Sequence, residues 1–471
     1  MISLRSTIRS VVLTALAALL ASASAAHAAS NQLVFFEAPR DLTANTATDA
    51  TRAAAFKDFT ALGVNALRVN LRWSDVAPAS DQATKPAGDY TDPATYDWGA
   101  YTAVIDAAKA ANYTVLISLA QPAPKWATAS KADNVTRPNP DEFRAFAAAA
   151  GKKFGAPNVI WSIWNEPNLD KYLKPAVSGG KNVSPLLYRA LYIAAYAGLK
   201  TDAGLTGTKV LFGETAPVGG SADKRIYPIT FFREALCLTS KNKLDKACGG
   251  KLQIDGVSHH PYQFTDGKLK SGDVTYRNLD RLVTFLDGAA KAGAIPASTP
   301  VYYTEFGIQS HPDTILGYNA PAQYEARARA ERAAYFNKRV KGFSQYLLTD
   351  DTETAGFQTG LRYATGKAKP AYDAYRLTLD ATWGSGKKPK ASLWGLVRNA
   401  TAPVSVTIEV STNGKSWKKL KTVKTNRLGA FTAKDGYRKG AQYRYKTGTE
   451  TSPPVRAYAG WIPPNARKKL K

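Results

Sequence analysis

The 471-residue chain is poor in the side chains that build metal and thiol chemistry: it has 2 cysteines, 4 histidines and 1 methionine. Two cysteines can form neither a structural zinc cage nor a disulfide-dense small fold. His27 falls in the N-terminal leader described below, and His259, His260 and His311 lack the i,i+4 spacing of a helical zinc motif. No GxxxxGK[ST], no GxSxG and no strand-placed GxGxxG occurs, so nucleotide, serine-esterase and dinucleotide chemistry lack their usual marks. No metal and no organic cofactor is expected. Acidic residues are also scarce, 37 against 63 Lys and Arg, for a net charge of +26. With 44% hydrophobic and 11% aromatic residues the chain is neither disordered nor short of core material.

The N-terminus has the grammar of a secretory signal. Arg5 and Arg9 precede an apolar run from Val11 to Leu20, and Ala26-His27-Ala28 forms an A-x-A cleavage pattern before Ala29. The alternative is a membrane anchor, but the run is shorter than the roughly 20 residues a span needs, and Ser22 and Ser24 interrupt its end. Residues 1–28 are therefore expected to be cleaved. The mature protein is expected to be secreted or extracellular, with cell-envelope association as an option and no membrane span. In an oxidising compartment Cys237 and Cys248 are expected to pair across the lysine-rich loop between them, the alternative being two free thiols.

From Gln32 to about Leu379, strand-like runs alternate with amphipathic helical runs. Strands are predicted at 32–36, 65–73, 114–119, 159–164, 209–212, 254–258, 301–304 and 343–348, many of them near-continuous apolar runs as expected of strands buried on both faces. Helices are predicted at 53–59, 101–111, 141–154, 186–199, 277–290 and 324–338. Eight such units predict an α/β fold, a (β/α)8 TIM barrel over residues 29–380. A doubly wound open sheet is the rival, because alternation alone does not show closure. A Gly/Pro/Lys-rich linker is expected at 381–390. Short alternating runs and an Asn413-Gly414 turn then predict a small all-β sandwich, immunoglobulin-like, over 391–471. From Lys387 onward there are 20 Lys and Arg against 3 acidic residues, so +17 of the net charge lies here. The choice is between a merely solubilising surface and an anchor to anionic envelope or matrix polymer. Nucleic acid is not an expected partner, and a monomer is expected.

Two segments carry the chemistry. Trp161-Ser162-Ile163-Trp164-Asn165-Glu166-Pro167 is an apolar strand ending in an amide and a carboxylate. Val301-Tyr302-Tyr303-Thr304-Glu305-Phe306-Gly307 has the same grammar 139 residues later, placing the two glutamates on strands 4 and 7. Barrel strands hold active sites at their C-terminal ends. Two carboxylates over one pocket suit glycosidic cleavage: one protonates the leaving oxygen, the other attacks the anomeric carbon or activates water. Glu214, ending strand 5, is a rival second carboxylate. Trp126, in the loop after strand 3, is the best candidate for stacking on a pyranose face.

Asn165-Glu166-Pro167 and Thr304-Glu305-Phe306-Gly307 resemble the strand-4 and strand-7 signatures of clan A glycoside hydrolases, the cellulase-like and xylosidase-like retaining barrels. Ala66-Leu67-Arg68-Val69-Asn70 resembles the strand-2 segment whose arginine bonds the nucleophile. His259-His260-Pro261-Tyr262 resembles the family's His-x-Tyr. The resemblance implies that Glu166 is the acid/base, that Glu305 is the nucleophile and that Asn165 meets the sugar 2-hydroxyl. It also implies that Arg68, His260 and Tyr262 belong to the site. Where cellulase-like members often carry a strand-8 tryptophan, this chain offers Tyr346, and Gln121 stands where they often have a strand-3 histidine. The expected function is that of an exported retaining glycosidase with a carbohydrate substrate. A catalytically silent carbohydrate-binding barrel and a transglycosylase using the same residues are the alternatives.

Overall fold

A computed structural model describes residues 32–220, 224–263 and 269–461. The predicted leader lies outside them. Eight parallel strands form one closed barrel: β1 (Leu33–Glu37), β2 (Ala66–Arg72), β3 (Thr114–Ala120), β4 (Val159–Ile163), β5 (Lys209–Thr215), β6 (Gly256–His259), β7 (Val301–Tyr303) and β8 (Val340–Tyr346). The first strand pairs on one side with β2 and on the other with β8, in a register that sets Glu37 opposite Tyr346. That closure decides between the two topologies the alternation allowed.

The period-2 alternation of each strand sorts its side chains into an outer and an inner set. Outward residues such as Val34, Phe36, Leu67, Val69, Val115, Ile117, Trp161, Phe212 and Val257 join the helices in one continuous core. Inward residues stack in tiers, as barrel interiors do. The lowest tier is apolar: Phe35, Ala66, Leu116, Ile160, Leu211 and Tyr302. Gly342 leaves room for it, since a Cβ there would meet the Phe35 ring at 2.3 Å. Two residues further along the strands the interior turns polar, with Arg68, Ser118, Ser162 and Thr304 all buried. The tier above holds the carboxylates.

Helices Asp49–Ala61, Gly99–Ala110, Pro140–Phe154, Ser184–Ala197, Asp280–Lys291 and Ala320–Phe336 cover the barrel where helical periodicity predicts them. Asn139 and Asn319 cap two of them by accepting from backbone N–H groups. Helix Pro228–Ala235, PITFFREA, was not legible, because its β-branched and aromatic residues read equally well as strand. Tertiary burial of Ile229, Phe231, Phe232 and Ala235 makes it a helix. Cys237 and Cys248 form the expected disulfide just beyond it. No helix among the described residues is long and apolar enough to cross a membrane.

After helix Pro370–Arg376 come two antiparallel sheets of a β-sandwich. One contains β9 (Leu377–Trp383), β10 (Ala391–Val397) and β13 (Ala430–Asp435); the other contains β11 (Ser405–Ser411), β12 (Lys418–Lys424), β14 (Gln442–Thr447) and two short terminal strands. The start of the expected linker is corrected here. Residues 381–383 belong to β9, which pairs along its whole length with β10, and only 384–390 connects them. The Gly/Lys/Pro composition is that of a hairpin loop, not of a tether.

The sandwich is fastened to the helix that follows β7. Arg329 and Arg332 donate to the two oxygens of Asp380 at 2.7 and 2.9 Å. Glu331 accepts from Arg327 at 2.6 Å and also from Arg398 of the sandwich. The Tyr324 hydroxyl reaches the Pro454 carbonyl at 2.8 Å, and Glu325 accepts from the Arg456 N–H at 2.9 Å.

Candidate active site

The site assembles around Arg68, which is 1% exposed in the middle of β2. A guanidinium has five donors in a fixed fork and stays charged when buried, so it needs anions around it. Its Nη1 donates to Glu305 Oε2 at 2.9 Å and to Glu37 Oε2. Nη2 donates to Asn165 Oδ1 and to Glu214 Oε2, both at 2.8 Å, and Nε donates to Ser118 Oγ at 3.1 Å. Ser118 in turn meets Ser162 at 2.7 Å, continuing the polar tier across β3 and β4.

The expected residues converge, with one exception. Glu305 follows β7 directly; Tyr262 donates its hydroxyl to Oε1 at 2.9 Å while Arg68 holds Oε2. Glu166 lies just beyond β4. His260, just beyond β6, places Nδ1 3.2 Å from Glu166 Oε1 and 3.6 Å from Glu305 Oε2, and its Nε2 lies 2.7 Å from Glu214 Oε2. Both carboxylates thus stand at the C-terminal mouth, bridged by one imidazole. Tyr346 ends β8 and packs edge-on against Tyr262 at 6.5 Å.

Trp126 is the exception, and its assignment as a sugar platform is corrected. It is 6% exposed, its Nε1 donates to the Pro78 carbonyl at 3.1 Å, and it packs edge-on against Tyr90 and Trp73. The loop after β3 folds back on the barrel, so the indole fills the core under that loop.

The strand ends are bent to present these groups. Trp164, Glu166 and Glu214 take left-handed backbone angles, with φ of 67°, 45° and 48°. Such angles cost non-glycine residues about 1–3 kcal/mol each and persist where the surroundings over-determine them. Glu166 N–H donates to the Glu214 carbonyl at 2.8 Å, tying the two bends together. Gly213 precedes Glu214 with φ of 132°, and a Cβ there would meet the Ser258 carbonyl at 2.3 Å. No larger residue fits.

Sequence reading missed Glu37 and left the role of Glu214 open. Glu214 is fully buried and accepts from Arg68, His260 and Thr304, the last at 3.1 Å. Burial opposes its charge, but Arg68 and His260 outweigh burial and hold its carboxyl down at about 2. It is the fixed anion beneath the mouth. Burial likewise opposes charge on His260, yet Glu305, Glu166 and Glu214 raise it to about 10, so the ring is a cation at neutral pH. His259 has no such partners, and burial lowers it to about 3; it bonds Thr215 and the Val274 carbonyl as a neutral ring. Glu37 ends an apolar strand and precedes Ala38-Pro39, the same grammar as the strand-4 motif, so a signal for it was present.

A cavity of about 790 Å³ opens beside this cluster, lined by Glu37, Arg68, Asn70, Asp75, Tyr101 and Tyr346 among others. Its wall is formed by the loops after β1 and β2.

Residues 29–183 match the family model described as cellulase, glycosyl hydrolase family 5, a stretch that takes in Arg68, Asn165 and Glu166. No curated protein sequence matches the chain. Among solved structures, a glucosidase from Croceicoccus marinus superposes with a TM-score of 0.50 at 10% identity, over 84% of this chain and 92% of that one. A β-glucuronidase from Bacteroides uniformis gives 0.46 at 12% identity, over 91% of this chain and 46% of that one. A GH10 endoxylanase retrieved from a sugarcane soil metagenome gives 0.44 at 13% identity, over 73% of this chain and 96% of that one. At 10% identity the likeness to the glucosidase speaks to the fold alone. The family match over the first half of the barrel and the closed barrel around it agree with the glycosidase resemblance of the strand-end motifs.

Proposed function

We propose that the protein is an exported retaining glycosidase acting on a β-linked glycan or glycoside. Glu305 attacks the anomeric carbon and forms a glycosyl-enzyme; Glu166 first protonates the leaving oxygen and then activates water. The observation that carries this reading is the unequal dress of the two carboxylates. Both oxygens of Glu305 are held by donors, Tyr262 and Arg68, which aims the nucleophile. Among the described residues the Glu166 carboxyl bonds the His260 ring through one oxygen and has its other oxygen free of any donor, which suits proton exchange.

Export is supported by the leader grammar of residues 1–28 and by the Cys237–Cys248 disulfide. The immunoglobulin-like sandwich serves as an anchor to anionic envelope or matrix polymer. On its five-stranded sheet Lys419 and Arg444 flank Glu409, and Arg444 stacks on Trp417 at 4.2 Å. The exposed Lys418, Lys421 and Lys424 lie along the edge strand β12. Charge reversal of these three lysines is expected to abolish retention on polygalacturonate at low salt; unchanged retention refutes the anchor.

A 2-deoxy-2-fluoro glycoside tests the reaction. The expected result is stoichiometric labelling of a peptide containing Glu305, and a first product that keeps the β configuration by NMR. An α product, or label on another carboxylate, overturns the assignment.

A further inference from the structure

Three features of the mouth converge on a residue that the two-carboxylate chemistry does not use. Glu37 is the last residue of β1 and is 4% exposed, yet it lines the cavity. Its Oε2 shares Arg68 Nη1 with Glu305 Oε2. Its Oε1 accepts no hydrogen bond among the described residues. A buried carboxyl that spends one oxygen on the guanidinium and turns the other toward a cavity is built to meet a polar group entering that cavity.

We infer that Glu37 is a specificity-determining residue of the glycosidase, its free carboxyl oxygen bonding a hydroxyl of the sugar seated between Arg68, Tyr346 and the loops after β1 and β2. The inference rests on the glycosidase reading and deepens it by naming what holds the sugar on the β1 side.

The charges around Glu37 give this contact a pH signature. Facing it are Arg68 from β2, Glu305 from β7, His260 and Tyr262 from the loop after β6, and Tyr346 from β8. Beyond Arg68 lies Glu214. Arg68 and His260 supply two positive charges against the four carboxyls Glu37, Glu166, Glu214 and Glu305, so a proton retained on one of the four lowers the repulsion. Burial raises the Glu37 carboxyl to about 7 against the pull of Arg68, making it the place where that proton rests. Below neutrality Glu37 both donates to and accepts from a sugar hydroxyl. Above neutrality Glu37 is acceptor-only and competes with Glu305 for the same N–H.

The test uses full-length protein and whichever 4-nitrophenyl β-glycoside it cleaves fastest among the glucoside, mannoside, galactoside, xyloside and cellobioside. The kcat/KM of the native enzyme is expected to bend downward near pH 7. Glu37→Gln fixes the side chain in its uncharged shape, donor and acceptor both, and is expected to keep kcat/KM near its acid-limb value across neutrality, removing that bend. Glu37→Ala is expected to raise KM about tenfold, the loss of one hydrogen bond to a sugar hydroxyl, with a smaller change in kcat. On the monodeoxy substrate lacking the contacted hydroxyl, the native enzyme and Glu37→Ala should converge. A bend that persists in Glu37→Gln, or a KM within about twofold of native in Glu37→Ala on every hydroxylated substrate, overturns the inference. If the alanine variant does not fold, the pH profile of the isosteric glutamine variant decides alone. Full turnover by Glu305→Gln would instead sink the underlying glycosidase assignment, which keeps the two failures apart.

Discussion

Arg68 and Glu305 stand 237 residues apart in the chain and meet at 2.9 Å inside the barrel. One guanidinium nitrogen thereby joins β2 to the end of β7, and the other joins it to β4 and β5 through Asn165 and Glu214. The fork spans the barrel interior in a way no single-point cation can.

Arg68→Lys should therefore be far from conservative. A lysine Nζ cannot reach Glu37, Glu214 and Glu305 together, so at least one buried carboxylate loses its partner. Breaking such a buried pair costs about 3–5 kcal/mol. The urea midpoint is expected to fall accordingly, and kcat by roughly a hundredfold or more, because Glu305 is no longer aimed. A lysine variant with native midpoint and kcat would show that the fork is dispensable.

Tyr262→Phe isolates the other bond to Glu305. It removes a donor to Oε1 and leaves the ring packed against Phe306 and Tyr346. A hydrogen bond to a charged group contributes about 1.5–3 kcal/mol, so kcat should fall roughly ten- to a hundredfold. Stability should change little, since a small hydroxyl is removed from a site that retains its aromatic contacts. Steady-state kinetics beside a melting curve separates the two effects.

Much of this was legible in the sequence because barrel grammar is local. A near-continuous apolar run that ends in Asn165-Glu166-Pro167 or in Glu305-Phe306-Gly307 states both the strand and the place where it stops. Partners were less legible. Ser118 and Ser162 look like polar interruptions of apolar strands, and only the closed register shows that both point inward beneath Arg68. Trp126 misled for the converse reason. A tryptophan in a loop after a barrel strand invites a ligand reading, and nothing local announces that Tyr90 and Trp73 enclose it. The role of the sandwich was likewise hidden. Arg327, Arg329 and Glu331 on helix Ala320–Phe336 look like a solvated face until Asp380 and Arg398 arrive from β9 and the residue after β10.

The charged pair beneath the mouth fixes how stability depends on pH. Glu214 is lowered from 4.5 to about 2, so its contribution is complete above 4.5 and is lost as pH falls through about 2. His260 is raised from 6.5 to about 10, so its contribution is complete below 6.5 and is lost as pH rises through about 10. Taken together, these two groups predict the highest melting temperature between those limits, with a decline on each side. His260→Gln should flatten the alkaline decline specifically. A variant whose alkaline decline matches the native one would show that another group causes it.

Truncation after Leu379 tests whether the sandwich is separable from the barrel. Removing it leaves Arg329 and Arg332 without Asp380, and Glu331 without Arg398. It also uncovers Tyr335, which packs on Trp394 at 5.3 Å. Arg329 and Glu331 are 6% and 5% exposed in the intact protein. Truncation gives them water, which offsets part of the lost pairing, but it strips the apolar cover from a whole helix face. Domain stabilities are about 5–15 kcal/mol, so losing several such contacts consumes a large share. The helix affected directly follows the strand that carries Glu305, so the damage should reach the site. The truncated barrel is expected to be insoluble, or to melt at least about 10 °C lower with reduced kcat, an effect of the size several kcal/mol produces in a domain this large. Asp380→Asn in the full-length chain offers a milder form: it keeps the shape, removes the charge facing both arginines, and should lower the melting temperature without touching the mouth. If the truncated barrel melts within about 2 °C of the intact protein, the sandwich is a passenger, and its contacts with the helix contribute nothing to the fold of the enzyme.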